Sequence, residues 1–241
     1  MKLQSRRQSE KGNILFLILL AVVLFAALSY AVTQSMRGGG GNAGSETSLV
    51  NSAVLSQYPV GVRAAILRMI VDGTDVTTLN FDPPSVFSTM TDGEKALGVF
   101  HPDGGGASFA YIPTDALATP SSTARWVFTR NFGIEDIGNT ATGSGDTGKD
   151  IVAIAPGISE TLCAKINEEL GVSSIPEVGT TLPLTVDATT MQQVEEFTYS
   201  QTSTVAEIAD SGSVIDGNPF LCVDYSTSAE LYAYYHVLVE R

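Results

Sequence analysis

The sequence predicts an α+β protein in which a long N-terminal transmembrane and amphipathic helix, interrupted by a hinge, packs on a mainly antiparallel β-sheet domain. Three observations predict it. Asn13 to Val32 contains no charged residue. Farther along, Leu49, Val50, Ala53, Val54, Tyr58, Val62, Ala65, Ile66, Met69 and Ile70 recur at three- and four-residue intervals, the mark of a helix with one buried face. The chain then closes on two runs rich in aliphatic and aromatic residues, Phe220 to Tyr225 and Glu230 to Glu240, whose composition suits strands.

The apolar run comes first. At about 1.5 Å of rise per residue, twenty such positions cross a hydrocarbon layer of roughly 30 Å. Lys2, Arg6, Arg7 and Lys11 precede it and only Glu10 opposes them, so this end stays in the cytoplasm and the remainder lies outside the membrane. The expected organisation is a basic leader (1–12), a transmembrane helix (13–36), a glycine-rich hinge (37–45) and a periplasmic α+β domain (46–241). Gly38, Gly39, Gly40 and Gly41 make the hinge, because each glycine costs a helix about 1 kcal/mol relative to alanine. Ser45 is placed to cap the second helix, Pro59 to kink it and Asp72-Gly73 to stop it.

From Thr74 to Asp146 turn signals are dense, among them Asp82-Pro83-Pro84 and His101-Pro102-Asp103 followed by three glycines. Short strands are expected at Gly98 to Phe100, at Ser108 to Ile112 and at Arg125 to Asn131 around the single tryptophan, Trp126. Another, Asp150 to Ala155, should stop at Pro156-Gly157. A short helix over Glu160 to Leu170 places Leu162, Ile166 and Leu170 on one face, with Cys163 beside them and Gly171 as terminator. In the last strand Leu231, Ala233, Tyr235, Val237 and Val239 share one face, and Tyr232, Tyr234, His236 and Leu238 the other. Both faces are mostly apolar, as in a central strand covered on both sides, with the second helix packed across it.

Charge narrows the function. From Gly38 onward eight basic residues face twenty-five acidic ones, about −17 for that part, with no cluster of Lys and Arg to meet phosphates. Nucleic acid is not an expected partner. The two cysteines, Cys163 and Cys222, have neither CxxC nor zinc spacing. In an oxidising periplasm they most economically form one disulfide, the alternative being two buried thiols. Such a bridge would limit the unfolded chain by roughly 4 kcal/mol in the chain-entropy model.

Signals for chemistry are weak. Gly143-Ser144-Gly145-Asp146-Thr147-Gly148-Lys149-Asp150 resembles a phosphate-binding loop, but Asp150 replaces the required hydroxyl residue and no buried strand precedes it, so a plain loop is expected. His236 reads as a structural histidine within a strand, and His101 with Asp103 reads as a turn rather than a metal site. Pairs such as Asp146 and Asp150, or Asp210 and Asp216, lack EF-hand spacing, and solvated loops are the expectation over calcium. Neither a nucleophile elbow nor HExxH occurs. The reading is therefore of a structural protein with no enzyme activity, catalytic residue, metal or cofactor.

A short basic leader, Gly12, an apolar helix, an amphipathic continuation and a cysteine-bearing sheet, in this order, resemble type IV pilins and the pseudopilins of type II secretion. The resemblance implies that a prepilin peptidase cuts after Gly12, that the new N-terminus at Asn13 is methylated, and that the helix anchors the subunit in the bacterial inner membrane before packing with other pilin-like subunits. Exchanging lipid for neighbouring helices keeps the same apolar surface covered. Family members usually start the mature chain with phenylalanine or methionine and carry glutamate at its fifth position; here Asn13 and Leu17 stand there. The missing glutamate implies a minor or priming subunit. Two other readings use the same helix: an uncleaved single-pass anchor for a periplasmic binding domain, and a secretory signal cut near Ser29-Tyr30-Ala31.

Overall fold

A computed structural model describes residues 9–37, 39–138, 150–178, 206–208, 214–225 and 231–241. The chain divides into two compact units, residues 1–47 and 48–241. Helix α1 (Ser9–Arg37) has 29 residues, and from Gly12 to Met36 none is charged. Its side chains from Ile14 to Tyr30 are exposed throughout. Helix α2 (Gly39–Val71) follows, with Gly39, Gly40 and Gly41 in its first turn, while Gly38 lies outside the described residues. Ser45 is therefore inside α2 rather than at its cap, and α2 continues through Pro59. It ends as expected. Gly73 adopts φ +97°, and Thr74 N–H and Gly73 N–H reach back to the carbonyls of Met69 and Ile70.

Among the described residues the second unit has five strands: β1 (Val127–Ile134), β2 (Asp150–Ile158), β3 (Ala206–Ile208), β4 (Phe220–Asp224) and β5 (Tyr232–Val239). Their order is β3-β1-β2-β5-β4, with β1, β2, β5 and β4 joined antiparallel and β3 added parallel to β1. This is the mainly antiparallel α+β domain expected. β5 lies between β2 and β4, and its alternate residues enter two separate cores. Tyr232, Tyr234 and Leu238 join Leu55, Val62, Ile66 and Met69 of α2 on one face; Ala233, Tyr235 and Val237 join Val152, Ile154 and Leu221 on the other.

Helix α3 (Asp92–Leu97) is capped by Thr91 and Glu94 in a reciprocal box. Helix α4 (Glu160–Glu169) buries Leu162, Cys163 and Ile166 and ends at Gly171, φ +80°. Cys163 and Cys222 form a disulfide with Cα atoms 5.3 Å apart, joining α4 to β4. Beside it Asn167 finishes the edge of the sheet. Its amide accepts from Cys222 N–H at 2.9 Å and donates to the Cys222 carbonyl at 2.8 Å, so the outward backbone of β4 is satisfied.

Several local expectations are corrected. Gly98 to Phe100 and Ser108 to Ile112 are not strands: Gly98 makes one bridge to Asn80, and Tyr111 one to Arg125. The chain around them is wound into a knot in which Ala107 N–H donates to Val99 O and Gly105 N–H to Gly98 O. No second side chain fits there, since a Cβ on Gly104 or Gly105 would strike the carbonyl oxygens of Gly98 and Val99. β2 does not stop at Pro156-Gly157 but continues to Ile158, because a register shift and Gly157 at φ +76° absorb the proline.

Candidate functional site

Helix α2 decides the chemistry of the second unit. Following i, i+4 steps walks about 40° round a helix each time, so the stripe expected from Leu49 to Ile70 leaves one face and reaches the other. Val62, Ala65, Ile66 and Met69 are buried, but Leu49, Val50 and Val54 are not. The core side is completed instead by Leu55, Pro59 and the small polar Asn51 and Ser52. Ser52 Oγ donates to Glu169 Oε2 at 2.6 Å, which ties α2 to the end of α4.

The outward side is the unexpected part. Leu49, Val50, Val54, Val60, Leu67 and Val71 are 44% to 85% exposed, and Gly61 and Ala64 lie open between them. Glu46–Val71 is a helix long and apolar enough to cross a membrane, yet a third of its most apolar window is buried. A helix with one side sealed against a sheet is not bathed in lipid. Its apolar character comes from having two apolar faces, one facing the sheet and one facing outward.

A cavity of about 530 Å³ opens on that outward side, between α2 and the glycine knot. Its walls are Val54, Gly61, Ala64 and Ala65 from the helix and Gly105 to Ser108 from the loop. Arg68 closes one end, donating from Nη2 to the Gly105 carbonyl. Tyr58 lies at the back, its hydroxyl accepting from Ala110 N–H at 3.2 Å, and burial pushes its pKa up to about 12.

Behind α2 an aromatic chain crosses the sheet. Tyr58 meets Trp126 at 5.1 Å between ring centroids, Trp126 meets Tyr234, and Phe220 stacks on His236 at 5.1 Å. His236 Nδ1 lies 3.0 Å from the Tyr234 hydroxyl. Burial, and to a lesser extent the Arg63 guanidinium, bring its pKa down to about 4. His236 is thus a neutral core histidine.

His101 is the other histidine. Its Nδ1 accepts from Asp103 N–H at 3.1 Å while Phe87 packs edge-on at 4.6 Å, which makes the segment a turn. Asp150 opens β2, accepting from Ile134 N–H and Arg241 N–H at 3.1 Å each, and burial raises its pKa. Residues 143–149 of the phosphate-loop resemblance, together with Asp210, lie outside the described residues. Among the described residues no group of three metal-binding side chains converges. Gly12 and Asn13 lie within α1, and Cys163 with Cys222 within the core. No family model matches the chain, no curated protein matches it, and no solved structure matches its fold.

Two features escaped the sequence reading. The outward face was legible in principle, since only Gln57, Arg63 and Arg68 interrupt the apolar and small residues from Pro59 back to Ala53 and on to Val71. Arg68 had no signal of its own, because a basic residue in a last helical turn is also what the helix dipole favours.

Proposed function

We propose that this chain is a membrane-anchored structural subunit, pilin-like or minor pseudopilin-like, of a type IV pilus or type II secretion-like assembly. The observation that carries the reading is the outward face of α2. Six aliphatic side chains stand in solvent along a helix whose opposite side already builds the core. Large exposed apolar patches mark interaction surfaces, and a helical stripe is shaped for helices. α1 supplies the second ingredient, an uncharged helix that lipid or neighbouring helices can cover.

In this reading residues 1–12 are the leader, Gly12 and Asn13 flank the peptidase cut, and α1 lies in the inner membrane with the domain in the periplasm. Gly38 to Gly41 give the joint freedom to re-aim the domain as the subunit passes from membrane to assembly. The disulfide fits an oxidising compartment, where such bonds persist.

The test is the N-terminal mass of the protein expressed with and without a prepilin peptidase. A start at Asn13 that appears only with the peptidase is the expected result. An intact Met1 in both would overturn processing and leave an uncleaved single-pass anchor, and a start near Val32 would make the domain a secreted one.

A further inference from the structure

Two residues one turn apart on α4 hold the same residue of β4. Cys163 takes Cys222 through the disulfide, and the Asn167 amide takes its backbone, accepting from the N–H at 2.9 Å and donating to the carbonyl at 2.8 Å. Cys163 and Asn167 stand at i and i+4, so both project from one face of the helix. Asn167 also donates to the Ser174 carbonyl at 3.1 Å; beyond it Val178 N–H donates to the Asp224 carbonyl, and Asp224 N–H to that of Pro176. Residues 167–178 thus form a strap along the outer edge of β4. Ile175 packs against the core beneath α2 and Val178 enters the core on the opposite face, so the strap wraps that edge.

Asn167 has no substitute there. It is 1% exposed and Cys222 is fully buried, so solvent does not reach the outward N–H and C=O of Cys222. Leu162 and Ile166 press α4 on the sheet, but apolar burial is non-directional and does not set the register that two hydrogen bonds require. The disulfide does set it, by fixing the Cα atoms of Cys163 and Cys222 5.3 Å apart. We propose that residues 167–178 are a redox-dependent strap: the disulfide holds Asn167 in register on Cys222, and in the dithiol form the strap lifts and leaves the outward backbone of β4 open to an added strand. An open edge is a template for pairing, so oxidation is the step that seals the sheet on this side. Sealing removes two electrons and two protons from the thiols of Cys163 and Cys222, which a disulfide-bearing oxidant accepts as it becomes a dithiol; an excess of dithiol runs the exchange backward. The inference uses the second unit alone and depends on neither processing at Gly12 nor assembly.

The strand carries its own control. Cys222 and Asp224 turn their amides to the strap, while by alternation those of Leu221 and Val223 turn to β5, in step with the bond from Tyr225 N–H to Leu231 O. Hydrogen exchange is read residue by residue on the full chain in detergent micelles, in four forms: the parent, Asn167→Leu, the pair Cys163→Ala with Cys222→Ala, and all three changes together. Loss of the cross-link should lower protection about tenfold at positions 222 and 224 and leave Leu221 and Val223 within about twofold. Asn167→Leu should do the same with the cross-link intact, and should add less than about twofold once it is gone, because the two grips act as one. Equal loss at all four amides would overturn the proposal, since the disulfide would then serve the whole fold. Unchanged protection at 222 and 224 without the cross-link, or a further tenfold loss on adding Asn167→Leu to it, would overturn it as well. Excess dithiothreitol should reproduce the pattern in the parent; titratable thiols with full protection at 222 and 224 would rule out the redox step.

Discussion

On its inward side α2 sets Leu55, Val62, Ile66 and Met69 against the sheet, where all are buried, whereas on its outward side Leu49, Val50, Val60 and Val71 stand in solvent. The residue types are nearly the same. What differs is what lies across from them: the rings of Trp126, just before β1, and of Tyr234 in β5 on one side, and on the other, among the described residues, the cavity beside the glycine knot. Each fully buried aliphatic side chain contributes about 1.5–3 kcal/mol to folding, and an exposed one contributes little until a partner covers it. The inward side therefore stabilises the domain, and the outward side leaves apolar surface of the same kind uncovered.

Truncation on either side breaks the comparison most directly. Ile66→Ala opens a cavity beneath α2, and the expected cost is about 2–5 kcal/mol of stability in chemical denaturation. Val60→Ala on the outward side removes a side chain 53% exposed and should change monomer stability by less than about 0.5 kcal/mol. A large loss for Val60→Ala would mean that the outward face is already packed, and the distinction between the sides would fall.

Acid should act on the inward side only. His236 lies behind α2 with Tyr234, Phe220 and Ala153 around it on the sheet and with Arg63 facing it from the helix. Its folded pKa, about 4, lies below the ordinary value of 6.5, so between these values the unfolded chain binds a proton that the folded one refuses. The contribution is fully present above pH 6.5 and is lost as pH falls through 4, by up to about 3 kcal/mol. Asp150 opposes it, because a carboxyl whose pKa is raised by burial gains relative stability on acidification. Subtracting the pH profile of His236→Gln isolates the histidine. A difference between the two profiles that stays flat from pH 7 to 4 would remove His236 from the account.

Legibility followed the same division. Strong local signals were reliable: Gly171 ends α4, Val127 to Asn131 falls in β1, and β5 alternates between two cores as its two apolar faces required. The disulfide was legible from two lone cysteines and a compartment, although its partner in satisfying β4, Asn167, was not, because a buried amide in a helix looks like any surface asparagine. Segments whose hydrogen bonds come one at a time were misread. Gly98 to Phe100 and Ser108 to Ile112 read as strands, but glycines at 104 and 105 let the chain close on itself, with Ala107 N–H on Val99 O, instead of pairing along a ladder. β3, three residues long, is too short to show a period. The site was hardest, since periodicity reports how apolar a helix face is and says nothing of what lies opposite it.

The smallest expected effect sharpens the comparison furthest. Gly61 is an interior residue of α2 on the outward side, and its missing side chain leaves backbone exposed and adds entropy to the unfolded chain. Replacing it by alanine meets open space, so the isolated chain should gain about 0.5–1 kcal/mol, read as a rise in the denaturation midpoint at constant slope. A gain of that kind at a glycine means that folding alone would have favoured alanine. If Gly61→Ala stabilises the monomer and also weakens association of the full chain, the glycine holds space for a neighbour and the outward side is shaped by association. If it stabilises the monomer and leaves association unchanged, Gly61 is only a tolerated weakness in the helix, and any close approach of a partner must be made elsewhere on that face.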